Sequence, residues 1–181
     1  MARTSKKSDL LAAAGALIVR HGLDALTFDR LAAEAHVSKG GLLYHFPDKE
    51  RLLIALVEGR VARIDTAIAA WVAASPRRPG DTGHWLRAHI RTALSDTETD
   101  GRSPHALLGT LRTALPPDSP ARAVINAADD RWRDAARADG LPQGLAIAIT
   151  LAVAGAIGAS LETNDSVAVR ETLLALTETP A

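Results

Sequence analysis

The chain of 181 residues contains no cysteine, only 3% aromatic residues and no net charge at neutral pH. Without cysteine, neither a disulfide framework nor a thiolate metal site can form, and we expect a reducing, cytoplasmic location. A net charge of zero is no argument for nucleic acid as a partner. The hydrophobic fraction is 47%, much of it alanine, the residue with the highest helix propensity. Because no segment alternates like a half-buried strand, we predict an all-α fold.

An uninterrupted apolar run of membrane-spanning length is also missing. The longest uncharged run, residues 141–161, contains Pro142, Gln143, Thr150 and Ser160 together with three glycines. A single transmembrane helix needs about 20 predominantly apolar residues. We therefore expect a buried or interface helix here and no membrane partner.

The motifs of common enzymes and metal sites are missing as well. The histidines form no His-x-x-x-His pair, and the acidic run at residues 96–100, which starts like a calcium loop, has Leu107 at the closing position. There is no Gly-x-Ser-x-Gly sequence, Walker loop or dinucleotide fingerprint. We therefore expect no catalytic residue, no metal site and no cofactor, and we expect that the protein is not an enzyme.

What the chain does contain is apolar residues at helical spacing along its whole length. Ser8, Thr27 and Ser38 are the expected N-caps of three helices, and Asp48 opens a long fourth helix that ends near Ala74. Proline, glycine and asparagine then divide the remaining chain. Further helices are expected near residues 83–95, 104–114, 118–138, 142–162 and 166–177.

Positive charge is concentrated near the N-terminus. Residues 1–51 contain 8 Lys+Arg and 6 Asp+Glu, a net charge of +2, and the rest contains 13 and 15, a net charge of −2. The bias is mild, but it marks the first 51 residues as the part that would meet nucleic acid.

Residues 27–51 have the pattern of a helix-turn-helix, in which a second, recognition helix enters the major groove while the first braces the backbone. Gly40 and Gly41 each weaken this short second helix by about 1 kcal/mol relative to alanine, and close approach of backbone to DNA would explain them. From spacing alone, a purely structural three-helix corner is equally consistent. The polar contacts expected with phosphates and base edges are Thr27, Ser38, Lys39, Tyr44, His45 and Lys49.

The same segment carries a specific set of residues in fixed register. They are Thr27-Phe28, Ala32, Ala35, Val37-Ser38-Lys39-Gly40, Leu42, Tyr44-His45-Phe46, Lys49-Glu50 and Leu52-Leu53, preceded by Ala13-Ala14 and His21-Gly22. This set resembles the tetracycline-repressor (TetR) family of transcriptional regulators over residues 8–55. The resemblance implies a three-helix DNA-binding domain, residues 1–47, and a larger helical ligand-binding and dimerisation domain, residues 48–181. The DNA contacts it implies are Thr27, Ser38, Lys39, Gly40, Gly41, Leu43, Tyr44, His45 and Lys49.

Two positions depart from the family pattern. His36 stands in the turn where such proteins usually have glycine, although histidine is among the better-tolerated residues at positive φ. Leu43 stands where many members have a tyrosine that touches the DNA backbone. We therefore expect at Leu43 either a lost contact or an apolar contact with sugar or a thymine methyl group.

Small residues in the uncharged run indicate a close helix contact, because Gly155 and Gly158 together weaken their helix by about 2 kcal/mol. The resemblance implies that the last two helices form a four-helix dimer interface, and packing within the chain is the alternative. The residues expected at the interface are Ala148, Ala152, Gly155, Gly158, Ala159, Val169 and Leu173.

A ligand pocket is expected among the helices between residues 55 and 138, because such pockets are mostly apolar with a few polar groups. The residues expected to line it are Trp71, Trp85, His89, Leu107, Leu111 and Trp132. Taken singly, a tryptophan is more often part of the ordinary core or surface than a ligand contact. The apolar composition favours a hydrophobic ligand.

These expectations combine into one hypothesis of function. The partners would be double-stranded operator DNA, a second copy of the chain and a small-molecule effector of unknown identity. The chain would act as a ligand-responsive regulator that binds a palindromic operator as a homodimer, and we expect it to be a repressor. The alternative is a helical interaction or adaptor module whose helix-turn-helix is structural.

Overall fold

The protein is all-α in a computed structural model that describes residues 2–77, 80–95, 105–158 and 163–178. Nine α-helices and one 3₁₀ turn, Leu23–Ala25, lie within these ranges. The predicted fold class is therefore confirmed. The helices are α1 Ala2–His21, α2 Phe28–Glu34, α3 Lys39–His45, α4 Lys49–Ala74, α5 His84–Ala93, α6 Ala106–Ala114, α7 Pro120–Arg137, α8 Gln143–Gly158 and α9 Thr163–Leu176.

Two of the three predicted N-caps are confirmed, and Asp48, which was expected to open the fourth helix, is its N-cap. Thr27, Ser38 and Asp48 each accept a hydrogen bond from the backbone N–H three residues further on, at 3.3, 3.1 and 2.7 Å. The prediction for Ser8 is wrong, because α1 begins at Ala2. The residues before Ser8 include two lysines, which are good helix formers, so the helix continues past the expected cap.

One hydrophobic core joins the first four helices to α6 and α7. It includes Ile18, Leu42 and Phe46 from the N-terminal helices and Leu111 and Ile125 from the later ones. The predicted division at residue 48 falls at the N-cap of α4, so this long helix leaves the N-terminal three helices and continues into the rest of the protein.

A second core packs α5, α8 and α9 together with the end of α7, and it includes Leu86, Ile90, Val153 and Leu174. The start of α5 is capped from a distance, because Asp139 accepts a hydrogen bond from the Leu86 N–H at 2.8 Å. Asp139 follows α7, so one buried carboxylate holds the start of α5 against the turn before α8.

Gly83, which precedes α5, has a φ of 73°. A Cβ atom there would lie 3.0 Å from the backbone oxygen of Thr177, just after α9. Glycine is therefore required for this close approach as well as for the backbone conformation. Within the described part of the chain, none of the helices combines the length and apolar character needed to cross a bilayer.

Candidate nucleic-acid interface and effector site

The residues predicted to contact DNA form an exposed surface on and beside α3. Eight of the nine are exposed, including Leu43 at 41% and Tyr44 at 69%, and His45 is half-buried. Leu42 and Phe46 lie one turn apart on the opposite side of α3 and are buried. Burial of these two residues holds α3 against the N-terminal core and leaves its polar and glycine-bearing side outward.

The turn between α2 and α3 contains the one non-glycine residue with positive φ among the described residues, His36 at 51°. The His36 N–H donates to the Ala33 carbonyl at 3.3 Å, and the Val37 N–H donates to the Ala32 carbonyl at 3.0 Å. These two bonds form a Schellman motif, in which the left-handed position usually holds glycine. The departure found in the sequence therefore lies at the strained position of the turn, where a Cβ costs about 1–2 kcal/mol.

The two glycines of α3 differ in their surroundings. A Cβ atom at Gly41 would lie 3.2 Å from the Ser38 hydroxyl that caps the helix. A Cβ atom at Gly40 would meet nothing within 4 Å among the described residues. Packing within the chain therefore gives no reason for glycine at position 40, although alanine would stabilise the helix by about 1 kcal/mol.

Ion pairs join the short helices of this domain. Lys39 at the start of α3 lies 2.8 Å from Asp29 of α2, and both side chains are exposed. Arg20 of α1 pairs with Glu34 of α2, and the hydrogen bond from Arg20 holds the pKa of the Glu34 carboxyl below its ordinary value. Surface pairs contribute at most about 1 kcal/mol, so Lys39 can exchange Asp29 for a phosphate at little cost.

Lys7 was not among the predicted contacts. Its ammonium group lies 5.6 Å from the centre of the Phe46 ring, at the end of α3. Lys49, which was predicted, donates to the Leu23 carbonyl at 3.4 Å. The basic composition of residues 1–9 was the available signal for a cation such as Lys7 near α3.

Three of the six predicted pocket residues come together in a ring cluster, which also includes His105 and is buried except at the half-buried Trp85. Trp85 is stacked on His89 with ring centres 5.1 Å apart, and Trp132 lies 5.9 Å from His89. His105 lies 5.4 Å from His89 and 5.7 Å from Trp132. The prediction omitted His105, whose position at the start of the helix predicted over residues 104–114 was the available signal.

The two histidines of the ring cluster are neutral at physiological pH. Burial lowers the pKa of His89 from 6.5 to about 4. Burial also lowers the pKa of His105 well below its ordinary value, with smaller contributions from the charges of Arg112 and Arg60. Each ring therefore offers one N–H donor and one acceptor nitrogen.

The other three predicted pocket residues lie elsewhere. Leu107 and Leu111 are buried in the first core, and Leu107 is 3.2 Å from the position that a Cβ atom on Gly15 of α1 would take. Trp71 is 43% exposed, with the Arg91 guanidinium 5.4 Å from its ring centre. Trp71 is thus on the surface and does not join the ring cluster.

The outer side of α8 is apolar and exposed. The predicted interface residues Ala148, Ala152 and Gly155 are exposed there, next to Ile147 and Leu151, which the prediction omitted. A Cβ atom at Gly155 would meet nothing within 4 Å among the described residues. Contacts among the described residues of one chain therefore do not explain why position 155 is glycine.

The remaining predicted interface residues are not on this surface. Leu173 is buried in the second core, and Val169 is half-buried against it. Packing within the chain, the alternative considered for these residues, accounts for both. Ala159 and the surroundings of Gly158 lie outside the described residues. No cluster of three metal-binding side chains occurs in the ranges that the structure describes.

Two family models match the chain. The model described as "Bacterial regulatory proteins, tetR family" matches residues 10–56, and "Tetracyclin repressor-like, C-terminal domain" matches residues 83–178. The first covers the helix-turn-helix and the second covers more than half of the chain. The chain therefore belongs to the TetR family of bacterial transcriptional regulators, as the resemblance in the sequence implied.

Comparison with known proteins found relatives in sequence and in structure. The nucleoid occlusion factor SlmA of Haemophilus ducreyi is 31% identical over 80 residues, which is 44% of this chain and only 38% of that relative. The TetR-family regulator SCO4454 from Streptomyces coelicolor superposes with a TM-score of 0.76 at 22% identity, covering 96% of this chain and 93% of its own. AibR, solved in complex with isovaleryl coenzyme A and operator DNA, has a TM-score of 0.70 at 19% identity, covering 94% and 97%.

Proposed function

We propose that this protein is a ligand-responsive repressor that binds a palindromic operator as a homodimer and leaves it when a small hydrophobic effector binds. The observation that carries the DNA-binding part is Gly40. It lies exposed in the second helix of the helix-turn-helix, and no described neighbour requires its lack of a side chain. Close approach of the α3 backbone to a duplex would explain the lost helix stability.

The exposed side chains around Gly40 suit the same role. Lys39 and Lys49 are cations that can neutralise phosphates. Tyr44 and the exposed start of α2 at Thr27 offer hydroxyl groups for phosphate oxygens. Leu43 is exposed and apolar, so we assign it contact with sugar or a thymine methyl group. An adaptor with a structural helix-turn-helix would need none of these features.

The C-terminal helices support a response to a ligand. α4 has 26 residues and is therefore about 39 Å long. It carries Asp65, which accepts a hydrogen bond from the Trp132 indole N–H at 2.7 Å. A ligand at the ring cluster would thus act on a helix that begins directly after α3. Movement of α4 would change the separation of two recognition helices, which must be about 34–36 Å or a multiple of it.

The exposed side of α8 supports dimerisation. An apolar surface of this kind is usually covered in a functional assembly. AibR, a protein of the same fold, is named with both an operator and an acyl coenzyme A. That pairing is consistent with one fold carrying a DNA site and a separate effector site.

Duplex binding tests the function. Genomic fragments retained by the protein would be sequenced, and affinity for the recovered site would be measured against salt concentration. A repressor should select a palindrome and lose affinity steeply as salt rises. Weak, salt-insensitive binding without a selected sequence would favour the adaptor.

The contact assignment is tested on the same site. Lys39→Ala combined with Tyr44→Ala should weaken operator binding by about 100-fold. Arg63→Ala, an exposed change on α4, serves as the control that removes a cation elsewhere. If the double variant holds the operator as tightly as the parent protein, the assigned contacts are wrong.

A further inference from the structure

Three buried nitrogens beside and within the ring cluster have no hydrogen-bond partner among the described residues. They are His89 Nδ1 on α5, Arg112 Nε on α6 and Arg122 Nε on α7. An unsatisfied buried donor costs about 1–3 kcal/mol, and a guanidinium nitrogen can only donate. The two arginine nitrogens therefore favour a bound molecule that supplies acceptor atoms, and His89 Nδ1 would donate to it or accept from it according to the tautomer of the ring.

The charge at the two arginines is positive. Arg112 donates to both carboxylate oxygens of Asp129, at 2.6 and 2.8 Å. Arg122 donates to the Arg112 carbonyl and, at 3.4 Å, to the Leu115 carbonyl. Arg112 thus contacts a carboxylate, whereas the acceptors of Arg122 are carbonyl oxygens. The further acceptor that suits these two guanidinium groups best is an anion.

One ring of the cluster and Arg112 lie along one side of α6. His105 precedes α6 and Arg112 follows it by seven residues, which is two helical turns on the same side and about 10 Å along the axis. A molecule lying along α6 can therefore place an apolar part against Trp132 and His89 and an anionic part at Arg112.

We propose that the effector is an amphiphilic organic anion. Its apolar ring or chain packs against the ring cluster, and its carboxylate or phosphate head group accepts hydrogen bonds from Arg112 and Arg122. The inference rests on the proposed function only in placing an effector in the C-terminal domain. The proposed function requires only a hydrophobic effector. This inference adds that the effector carries a negative head group about 10 Å from its apolar end.

Calorimetric titration of the full chain with matched probes tests the inference. Biphenyl-4-carboxylate and octanoate would be compared with biphenyl-4-carboxamide and octanamide, and biphenyl-4-yl phosphate would distinguish the two head groups. We expect at least one anion to bind about tenfold or more tightly than its neutral partner. Equal affinities, a preference for the amides, or no binding of any anion would overturn the proposal.

Variants locate the head group. Arg112→Gln combined with Asp129→Asn removes both charges of the pair and should lower anion affinity to that of the amide. Arg122→Gln, which leaves the Arg112 pair intact, should lower it about tenfold and serves if the double variant does not fold. The exposed control Arg63→Gln should keep the parent affinity. Anion binding that survives both test variants would show that the head group binds elsewhere.

Operator release, measured in parallel, separates the two proposals. If only neutral probes bind and release the operator, the anion inference fails and the repressor function stands. If anions bind through Arg112 but leave the operator occupied, the anion site stands and the release mechanism fails.

Discussion

Two positions in the helix-turn-helix hold a residue that the local backbone conformation disfavours. Gly40 is a glycine inside a helix, where alanine is more stable, and His36 is a histidine at a left-handed turn position, where glycine is more stable. Residues that oppose local preference without a compensating contact in the chain are expected at functional sites. The observation is sharper for Gly40, because the space beside it is open.

Replacing Gly40 with alanine should separate stability from DNA binding. Gly40 lies in the first turn of α3. We therefore expect Gly40→Ala to raise the free energy of unfolding by up to about 1 kcal/mol, the difference between glycine and alanine in a helix interior. The added methyl group should lower operator affinity about tenfold or more, because it holds the backbone away from the groove. Urea denaturation and fluorescence anisotropy measure the two effects.

Gly59 provides the matched control, since it lies within α4 and also has open space beside it. Gly59→Ala should raise stability by a similar amount and leave affinity unchanged. Gly40→Ala binding as tightly as the parent protein would remove the argument from close approach.

The ring cluster connects helices that are far apart in the sequence. His89 comes from α5, His105 precedes α6, and Trp132 comes from α7, which reaches α4 through Asp65. α6 also packs on α1, where Leu107 lies beside Gly15. A molecule that displaces these rings would therefore press on both helices that support the DNA-binding domain. Its effect on DNA binding would equal its differential affinity for the two arrangements.

Stability should fall in mild acid because of His89. Its pKa is about 4 in the folded protein and 6.5 as the ordinary value, so between these values the unfolded chain binds a proton that the folded chain does not. The stability that the folded protein owes to a neutral His89 is fully present above pH 6.5 and is lost as the pH falls toward 4. His89 alone should account for a loss of about 2 kcal/mol between pH 7 and pH 5, and His105, whose pKa burial also lowers, should add to it. Urea denaturation measures the sum.

His89→Phe keeps a planar ring and removes the titrating group. This variant should lose the share of that pH dependence that His89 contributes and keep the share that His105 contributes, whatever its absolute stability. The same slope in the variant and the parent protein would assign the acid sensitivity to other groups.

In the assembled protein, the outer side of α8 is the surface that we expect to pair. Leu151 is 67% exposed and Ile147 is 40% exposed, and the exposed alanines and glycine beside them permit close helix packing. Two copies related by a twofold axis would place this surface against itself, because such an interface uses the same residues on both chains.

A charge at the centre of this surface should separate the two copies. Leu151→Glu is expected to yield a monomer, because burying an unpaired carboxylate costs several kcal/mol. Operator affinity should fall as well, since two unlinked half-sites bind independently. Light scattering after size-exclusion chromatography measures the mass. Ala70→Glu, an exposed change on α4, should remain dimeric, and a dimeric Leu151→Glu variant would place the interface elsewhere.

The sequence by itself determined the helices, two of their N-caps and the outward side of α3. These features depend on interactions within a few residues: capping bonds span three residues, and burial of Leu42 and Phe46 follows from helical spacing. The wrong prediction of a cap at Ser8 also has a local cause. Helix-forming residues precede Ser8, and a serine can lie inside a helix as well as cap one.

Only the tertiary structure decided which distant residues meet. Periodicity shows which side of a helix is apolar, but it does not identify the helix that packs against it. His105 therefore joined His89 unforeseen, while Trp71 lies on the surface and Leu173 lies in the second core. Asp139 caps α5 from 53 positions away in the chain. The physical reason is that side-chain environments depend on long-range helix packing, whereas helix formation and capping depend on sequence neighbours.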